Sequence, residues 1–387
     1  MDLKDTLKQM TDELAEGALR YQQAADAQRD VFMRGASLSH RPPLLLISGR
    51  NKAQERYPLF NQKEIHADSA KMAAYELGRA LTAMNGGMQA VPSVRAEMGC
   101  GIVPALFGVT PLLFDDKSPW IQDHLTKEQL MDMAESDLTI TPEFRQGLAH
   151  MEYLAELVKG TGVRVFPVDI QGAYDTAHLV LGDAIFYEMY DDPEFVHHLM
   201  RLSVAAINIA WDECMKRIPD SSIGVAHYNS LWMPREKGGL KLSEDTSTLL
   251  SKAQVNEFVM PYLRAVLEHV GGGYVHYCGW NPHLYDAVMK EPLVHALNFG
   301  NPEKHDMRQV LKDCIASGKL YYGTVPKLAD GSNEAEFAAI LDAARTEKGF
   351  SVLLHRFCQD GEAPAVRDAW QAAAAEAMKR PGTSFVS

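Results

Sequence analysis

The residues best suited to chemistry stand in the stretch GGGYVHYCGW, residues 271–280, where one residue separates His276 from Cys278. The apolar run before them predicts a strand, and alternate side chains of a strand point to the same face. We therefore expect the imidazole and the thiol to converge. A second apolar run, 351–355, leads to Cys358, eighty residues after Cys278. One imidazole and two thiolates with a fourth position open are typical of a catalytic zinc site.

The competing interpretation is that these cysteines are core residues, because a thiol is most often a small buried apolar group. The other three cysteines of the chain serve as a comparison. Cys214 and Cys314 fall within predicted helices and are interpreted as core residues. Cys100 lies nearer the expected site and stays an outside candidate. The five cysteines form an odd set without short-range disulfide spacing. This pattern indicates a reducing compartment with thiols free to bind metal.

Short apolar runs alternate with longer helical stretches along the chain. Strands are predicted to start near residues 43, 90, 163, 223, 274, 294, 320 and 351. Eight strands alternating with helices, without a Gly- or Ser-rich linker, predict an α/β fold, a closed (β/α)8 TIM barrel over residues 39–387. Residues 1–38 have apolar positions at helical spacing and are predicted to form a helical extension. Homodimer contact, a lid over the site and packing against the barrel remain open as its roles.

Acidic residues follow the second and third predicted strands, and the carboxyl ends of barrel strands form the working face. Glu97 and Asp169 at these positions suit a fourth metal ligand or a proton carrier. Salt bridges with Arg95 or Arg50 are the equally weighted alternative. Glu97 and Asp169 are therefore the predicted catalytic pair, with a structural role left open.

Further polar residues at strand ends are predicted to line the pocket. His227 and Asn298 are interpreted in this way, although a single His after a strand is often only a satisfied hydrogen-bonding residue. The segment 237–245, which ends in Glu244 and Asp245, is interpreted as an irregular loop with a solvated acidic pair. The predicted substrate contacts at strand ends are Arg50, Gln171, His227 and Asn298.

The amino-acid composition excludes some classes of binding partner and of protein. A formal charge of -13 argues against a nucleic-acid surface, which needs clustered Lys and Arg. The hydrophobic content of 46% indicates a globular chain with an ample core. The N-terminus is charged and amphipathic, and no run of 18 apolar residues occurs. These features predict a cytoplasmic protein without a membrane segment.

The His276-Tyr277-Cys278 stretch with Cys358 resembles the zinc site of corrinoid-linked methyltransferases in the uroporphyrinogen decarboxylase superfamily. The resemblance covers roughly residues 40–380 and includes the stretches 166–172, 174–182 and 191–196. It implies a (β/α)8 barrel that binds zinc through His276, Cys278 and Cys358, with Tyr174 among the residues near the substrate. It also implies methyl transfer between cobalt and a small methylated molecule, such as a methoxyarene or methylamine, or a thiol or pterin acceptor.

The cobalt would be carried by a separate protein, because the chain has no Asp-x-His-x-x-Gly motif of a cobalamin-binding domain. A corrinoid protein is therefore the expected partner and cobalamin the expected second cofactor. The alternatives are a lyase acting on a carboxylated tetrapyrrole, like the decarboxylases themselves, and a non-catalytic binding barrel. The lyase is disfavoured because the segment 44–57 keeps only Arg50 of an Arg-rich signature at the expected position, and few basic residues are predicted at the mouth.

Overall fold

The computed structural model describes residues 2–34, 44–49, 56–86, 89–326, 332–346, 349–350, 352–359 and 361–379. The strands are β1 Leu44–Gly49, β2 Ser93–Val94, β3 Arg164–Val165, β4 Gly224–Ala226, β5 Trp232–Pro234, β6 Leu240–Ser243, β7 Gly273–Tyr277, β8 Val294–Phe299, β9 Leu320–Gly323, β10 Arg345–Thr346, β11 Gly349–Phe350 and β12 Val352–Cys358. The helices are α1 Leu3–Ala15, α2 Ala18–Arg34, α3 Gln62–Ala67, α4 Ser69–Gly86, α5 Lys127–Met131, α6 Pro142–Leu157, α7 Ala173–Leu181, α8 Ile185–Asp191, α9 Pro193–Met215, α10 Lys252–Gln254, α11 Met260–Val270, α12 Pro282–Lys290, α13 Met307–Ala316, α14 Asn333–Ala343 and α15 Ala363–Lys379.

A parallel sheet of six strands in the order β1-β12-β9-β8-β7-β6 forms the centre of the fold. A parallel pair, β2-β3, continues it, because a bridge joins Gln171, just past β3, to Ser243 on β6. Seven parallel segments, from β2 to β12, thus follow one another in space in chain order, and β1 pairs with β12 as the eighth. Among the described residues, no ladder joins β2 to β1. The predicted alternation of parallel strands and helices is confirmed.

The fourth parallel position is held by β6, and the predicted strand near 223 is wrong as a member of this sheet. Residues 224–226 instead pair antiparallel with β5. The chain then turns through Gly238, whose φ is +82° and whose Cα lies so close to the Gly272 carbonyl that a Cβ would clash. Only glycine fits this turn. The segment interpreted as an irregular loop therefore contains a strand paired with β7.

The two faces of the sheet carry separate apolar clusters. Leu45, Val275 and Leu297 belong to the large cluster between the sheet and the outer helices. Leu46 and Tyr274, on the opposite face, belong to a smaller cluster that also contains Phe32 of α2. This alternation follows from the two-residue period of a strand. The side chains of β7 that share a face with Tyr274 therefore include His276.

The N-terminal helices pack onto the rest of the chain. Phe32 is 2% exposed within the smaller cluster. The buried Gln28 side chain donates hydrogen bonds to the carbonyls of Gln89 and Ser230 and accepts one from the Trp232 amide. These contacts tie α2 to the β4–β5 hairpin. No helix in the described ranges combines the length and the apolar character that crossing a bilayer requires.

Candidate metal centre and adjoining cavity

A cavity of about 850 Å³ opens beside the carboxyl ends of the parallel strands. Its walls come from β6, β7 and β8, from residues that follow β2 and β3, and from α4 and α7. Many of the side chains that line it are polar or aromatic. Those used below are Tyr75, Arg79, Arg95, Glu97, Trp120, Asp169, Gln171, Asp175, Tyr228, Lys241, Asp245, Tyr274, His276, Asn298 and Tyr322.

The His276 ring is oriented by its neighbour on β8. The β7–β8 register places His276 opposite Asn298, and Nδ1 lies 2.5 Å from Asn298 Oδ1. The Asn298 amide nitrogen donates to the Tyr322 carbonyl at 2.6 Å. Because this bond sets the amide orientation, Oδ1 faces the ring, and Nδ1 must be the protonated nitrogen. The lone pair is then on Nε2, as in a metal-binding histidine whose other nitrogen is held by a hydrogen bond.

Two further donor atoms lie near that lone pair. Cys278 Sγ is 3.7 Å from His276 Nε2, and Asp245 Oδ1 is 3.8 Å from it. All three ligand atoms lie within 4.8 Å of one another. Asp245 Oδ1 also accepts the Cys278 backbone amide at 2.5 Å. The alternation of side chains along β7 brings the imidazole and the thiol together, and the loop after β6 adds a carboxylate.

Asp175 of α7 holds this loop in place. Its carboxylate accepts the backbone amides of Asp245 at 2.7 Å and Thr246 at 2.9 Å. Asp175 is 4% exposed. Burial, and then the Asp245 carboxylate, raise its pKa to about 7. A buried acid beside a second carboxylate is an environment that a bound cation would relieve.

Glu244 directly precedes the proposed ligand Asp245 and is fully buried. Its Oε2 accepts the Ser247 hydroxyl at 2.8 Å, whereas Oε1 has no hydrogen-bond partner within the described ranges. Burial, and next Asp175, raise the pKa of Glu244 well above its usual range. A Cβ at Gly172 would lie 2.0 Å from Oε1, so the carboxyl occupies space that only a glycine at 172 leaves free. The acidic pair predicted to be solvated is therefore part of the site.

The electrostatics of His276 and Cys278 fit a divalent cation. Burial and the neighbouring Asp245 raise the pKa of the Cys278 thiol to about 11. Burial, and then the Lys241 ammonium, lower the pKa of His276. Neutral imidazole is the ligand form of histidine, and a bound cation deprotonates a coordinating thiol. Nitrogen, sulfur and carboxylate oxygen are the donor types that zinc prefers.

The two predicted catalytic carboxylates are both ion-paired. Arg95 Nη2 is 2.7 Å from each oxygen of Glu97. Lys241 Nζ donates to Asp169 Oδ1 at 2.9 Å, and Arg95 Nη1 lies 3.8 Å from Asp169 Oδ2. Burial opposes ionisation of Asp169, yet Lys241 and Arg95 hold its pKa at about 2. Both residues line the cavity in the salt bridges that the sequence left open as their alternative role.

The predicted substrate contacts lie in different parts of the structure. Gln171 and Asn298 line the cavity. Tyr174 does not, because its hydroxyl donates to Met189 Sδ at 3.6 Å in the core. The buried His227 borders a separate small pocket, its ring bonded to the Gly239 carbonyl at 2.7 Å and in edge contact with Tyr274. Arg50 lies outside the described residues.

Cys358 stands apart from the His276–Cys278 pair. It ends β12, opposite Gly49 of β1, and is 2% exposed. Among the described residues, the metal-capable group contains Asp245 as its third member and does not include Cys358. Burial raises the pKa of the Cys358 thiol. In this conformation Cys358 is a core thiol at the carboxyl end of its strand.

Sequence reasoning missed the roles of Asp245, Asp175, Lys241 and Arg79. Asp245 is interpreted from the sequence as solvated, and Lys241 has no assigned role, because β6 is only four residues long and follows two glycines. The apolar–polar alternation of Leu240, Lys241 and Leu242 was the available signal. The cavity also has more basic residues than predicted, although each forms an ion pair.

Comparison with solved structures identifies a similar fold. A methyltransferase from Methanosarcina mazei superposes with a TM-score of 0.61 at 13% sequence identity, over 90% of this chain and 98% of that chain. Identity this low shows the fold alone. No protein-family model and no curated protein matches the sequence.

Proposed function

We propose that the protein is a zinc-dependent methyltransferase of a corrinoid system. The observation that carries the proposal is the convergence of Asp245, His276 and Cys278 at strand ends, beside a cavity large enough for a substrate. The similarity to a methyltransferase over nearly the whole chain supports it. The same similarity, with eight parallel segments of which the first pairs with the last, favours closure into a (β/α)8 barrel.

The chain's own residues would hold and orient the reacting centre. His276 Nε2, Cys278 Sγ and Asp245 Oδ1 are the proposed ligands, with Asn298 and Asp175 fixing two of them. Bound zinc would supply Lewis acidity and, for a thiol substrate, stabilise the thiolate. Gln171 and the aromatic walls of the cavity are left to contact the remainder of the substrate.

Methyl transfer requires a second reactant that accepts or donates the methyl group. In the demethylating direction, the bond between the methyl carbon and its heteroatom breaks and the heteroatom keeps the electron pair. The new bond would take its electron pair from reduced cobalt carried by a partner corrinoid protein. In the opposite direction a thiolate sulfur would supply the pair for the new bond, and the pair of the broken bond would return to cobalt. Both directions need a cobalamin-bearing partner at the open end of the cavity.

Cys358 is proposed as a fourth ligand that would join only after a local rearrangement. It lies at the carboxyl end of β12, and the carboxyl ends of parallel strands share one rim. Asp245 is already in place in the present conformation. Single variants of Asp245 and Cys358 measure how much each residue contributes to zinc binding.

The lyase alternative receives less support from the cavity. A carboxylated tetrapyrrole needs cations free to pair with its carboxylates. Arg95 is engaged by Glu97, and Lys241 by Asp169, so among the described basic residues of the cavity only Arg79 keeps an open edge, and one cation is too few for a molecule with several carboxylates. A set of thiol, imidazole and carboxylate donors also has no role in that reaction. We therefore retain the methyltransferase assignment.

Metal analysis of the purified protein tests the proposal. We expect about one zinc per chain in the wild type, and strong loss in H276A and C278S while the circular dichroism spectrum is unchanged. Comparison of D245N with C358S shows whether Asp245, Cys358 or both bind zinc together with His276 and Cys278. C214S, which changes a buried thiol on α9, is the matched control. A wild type that binds no zinc when supplied with it, or that moves no methyl group in either direction between cobalamin and a methyl ether, amine, thiol or pterin, contradicts the assignment.

A further inference from the structure

Arg79 of α4 presents unused hydrogen-bond donors to the cavity. Its side chain is 40% exposed. Nη1 lies 3.0 Å from Glu76 Oε1 and 3.4 Å from Glu97 Oε2. Across the described parts of the chain, these are the hydrogen bonds of the guanidinium, and Nε and Nη2 make none. One edge of the planar group is therefore open, and such an edge matches the two oxygens of a carboxylate.

Arg95 provides the contrast within the same cavity. Its side chain is 4% exposed. Nε and Nη2 both donate to Glu97, at 3.2 and 2.7 Å, and Nη1 faces Asp169. The Arg95 guanidinium is therefore occupied by ion pairs with Glu97 and Asp169, whereas Nε and Nη2 of Arg79 make no such pair among the described residues. Glu76 also accepts the Arg95 backbone amide at 2.9 Å, so it does not depend on Arg79 alone.

Aromatic side chains surround Arg79 in the cavity. The guanidinium lies 5.9 Å from the Tyr75 ring centroid and 5.7 Å from that of Tyr228. Both tyrosines line the cavity, as does Trp120, which is 54% exposed. The Arg95 guanidinium already lies 4.2 Å from the Tyr228 ring centroid, so Tyr75 and Trp120 are the rings on which a flat ligand would stack. The combination of an open guanidinium edge and exposed aromatic faces suits a ligand that is both anionic and aromatic.

The position of Arg79 relative to the metal ligands limits substrate length. Arg79 contacts Glu97, just past β2, and His276 lies on β7, three places away in the order β2-β3-β6-β7. At roughly 4.8 Å per strand this separation is on the order of 14 Å along the sheet. A molecule the size of methylamine cannot contact both ends. We propose that the substrate is an arene with an anionic group bound by Arg79 and a methylated heteroatom directed toward Asp245, His276 and Cys278.

This proposal rests on the proposed function and specifies its substrate class. For a methyl aryl ether, the bond between methyl carbon and aryl oxygen breaks. The oxygen keeps the electron pair and takes a proton from water, and reduced cobalt of the corrinoid partner receives the methyl group. The carboxylate or sulfonate remains unchanged and serves only for recognition by Arg79.

Calorimetric titration with 4-methoxybenzoate as the probe tests the subsite without any turnover. We expect binding to the wild type at least about tenfold tighter than that of 4-methoxybenzyl alcohol, because the alcohol lacks the charge-assisted hydrogen bonds. The expected loss of benzoate affinity in R79Q is of similar size. R79K should retain part of the affinity, since lysine keeps the charge but not the fork. The saturated analogue 4-methoxycyclohexanecarboxylate should bind more weakly than the arene.

R164Q is the matched control, because Arg164 pairs with Asp220 at the surface and does not line the cavity. It should bind 4-methoxybenzoate like the wild type. The C278S variant separates the two proposals: benzoate binding that persists there supports the subsite even if zinc and methyl transfer fail. Equal affinity for the acid and the alcohol, unchanged affinity in folded R79Q and R79K, or no binding of any probe overturns the assignment of Arg79.

Discussion

Replacing Asn298 with alanine tests the orientation of the metal-binding histidine. Asn298 Oδ1 accepts the His276 Nδ1 proton at 2.5 Å, and the Asn298 amide nitrogen donates to the Tyr322 carbonyl at 2.6 Å. In N298A the ring loses this acceptor, so it can rotate, and the tautomer with the proton on Nε2 becomes accessible. That tautomer has no lone pair on the nitrogen that faces Cys278 and Asp245.

The expected loss of zinc affinity in N298A follows from the role of the Asn298–His276 hydrogen bond. Removing a hydrogen-bond partner of a metal-binding histidine reduces metal affinity about 10- to 100-fold, or about 1.4 to 2.8 kcal/mol. The loss of two hydrogen bonds should also lower the free energy of unfolding by about 1–3 kcal/mol. The variant should therefore fold and bind zinc, but weakly.

Competition for zinc with a chromophoric chelator at pH 7.5 measures the affinity, and urea unfolding measures the stability. N208A is the matched control, because Asn208 lies on α9 and does not line the cavity. Its zinc affinity should equal that of the wild type. A folded N298A protein that binds zinc within about threefold of the wild type would refute the role assigned to Asn298.

Two further predictions concern Asp169, which lines the cavity, and His227, which borders the separate small pocket. Lys241 and Arg95 hold Asp169 ionised and lower its pKa from 3.8 to about 2. The ion pairs of Asp169 therefore stabilise the folded state above pH 4, and this contribution is lost as the pH falls toward 2. D169N should therefore lower the free energy of unfolding by about 2 kcal/mol at pH 7, and the difference from wild type should shrink in urea titrations below pH 4; a pH-independent difference contradicts the ion-pair account. H227A should lose about 2–4 kcal/mol of stability with its bond to Gly239 and its contact with Tyr274, while zinc content stays at the wild-type level. Loss of zinc from folded H227A would instead place His227 in the metal site.

The sequence by itself determined the features that depend on local periodicity. Alternation along a strand is enough to bring the side chains of His276 and Cys278 to one face, because neighbouring positions of the same strand need no partner to set their direction. Short apolar runs separated by helices likewise predicted parallel strands. The strands β7, β8 and β9 lie close to their predicted positions because their apolar runs are continuous.

Only the tertiary structure decided which distant residues join that pair. Asp245 lies beside His276 because β6 pairs with β7, with Ser243 opposite His276. Asn298 lies opposite the ring through the β7–β8 register, and Arg79 meets Glu97 because α4 packs near β2. The spacing of Cys358 suggested a ligand, yet its side chain is packed in the core in this conformation. Register and packing depend on the whole set of contacts between elements, so residues far apart in the sequence become neighbours only when those contacts form.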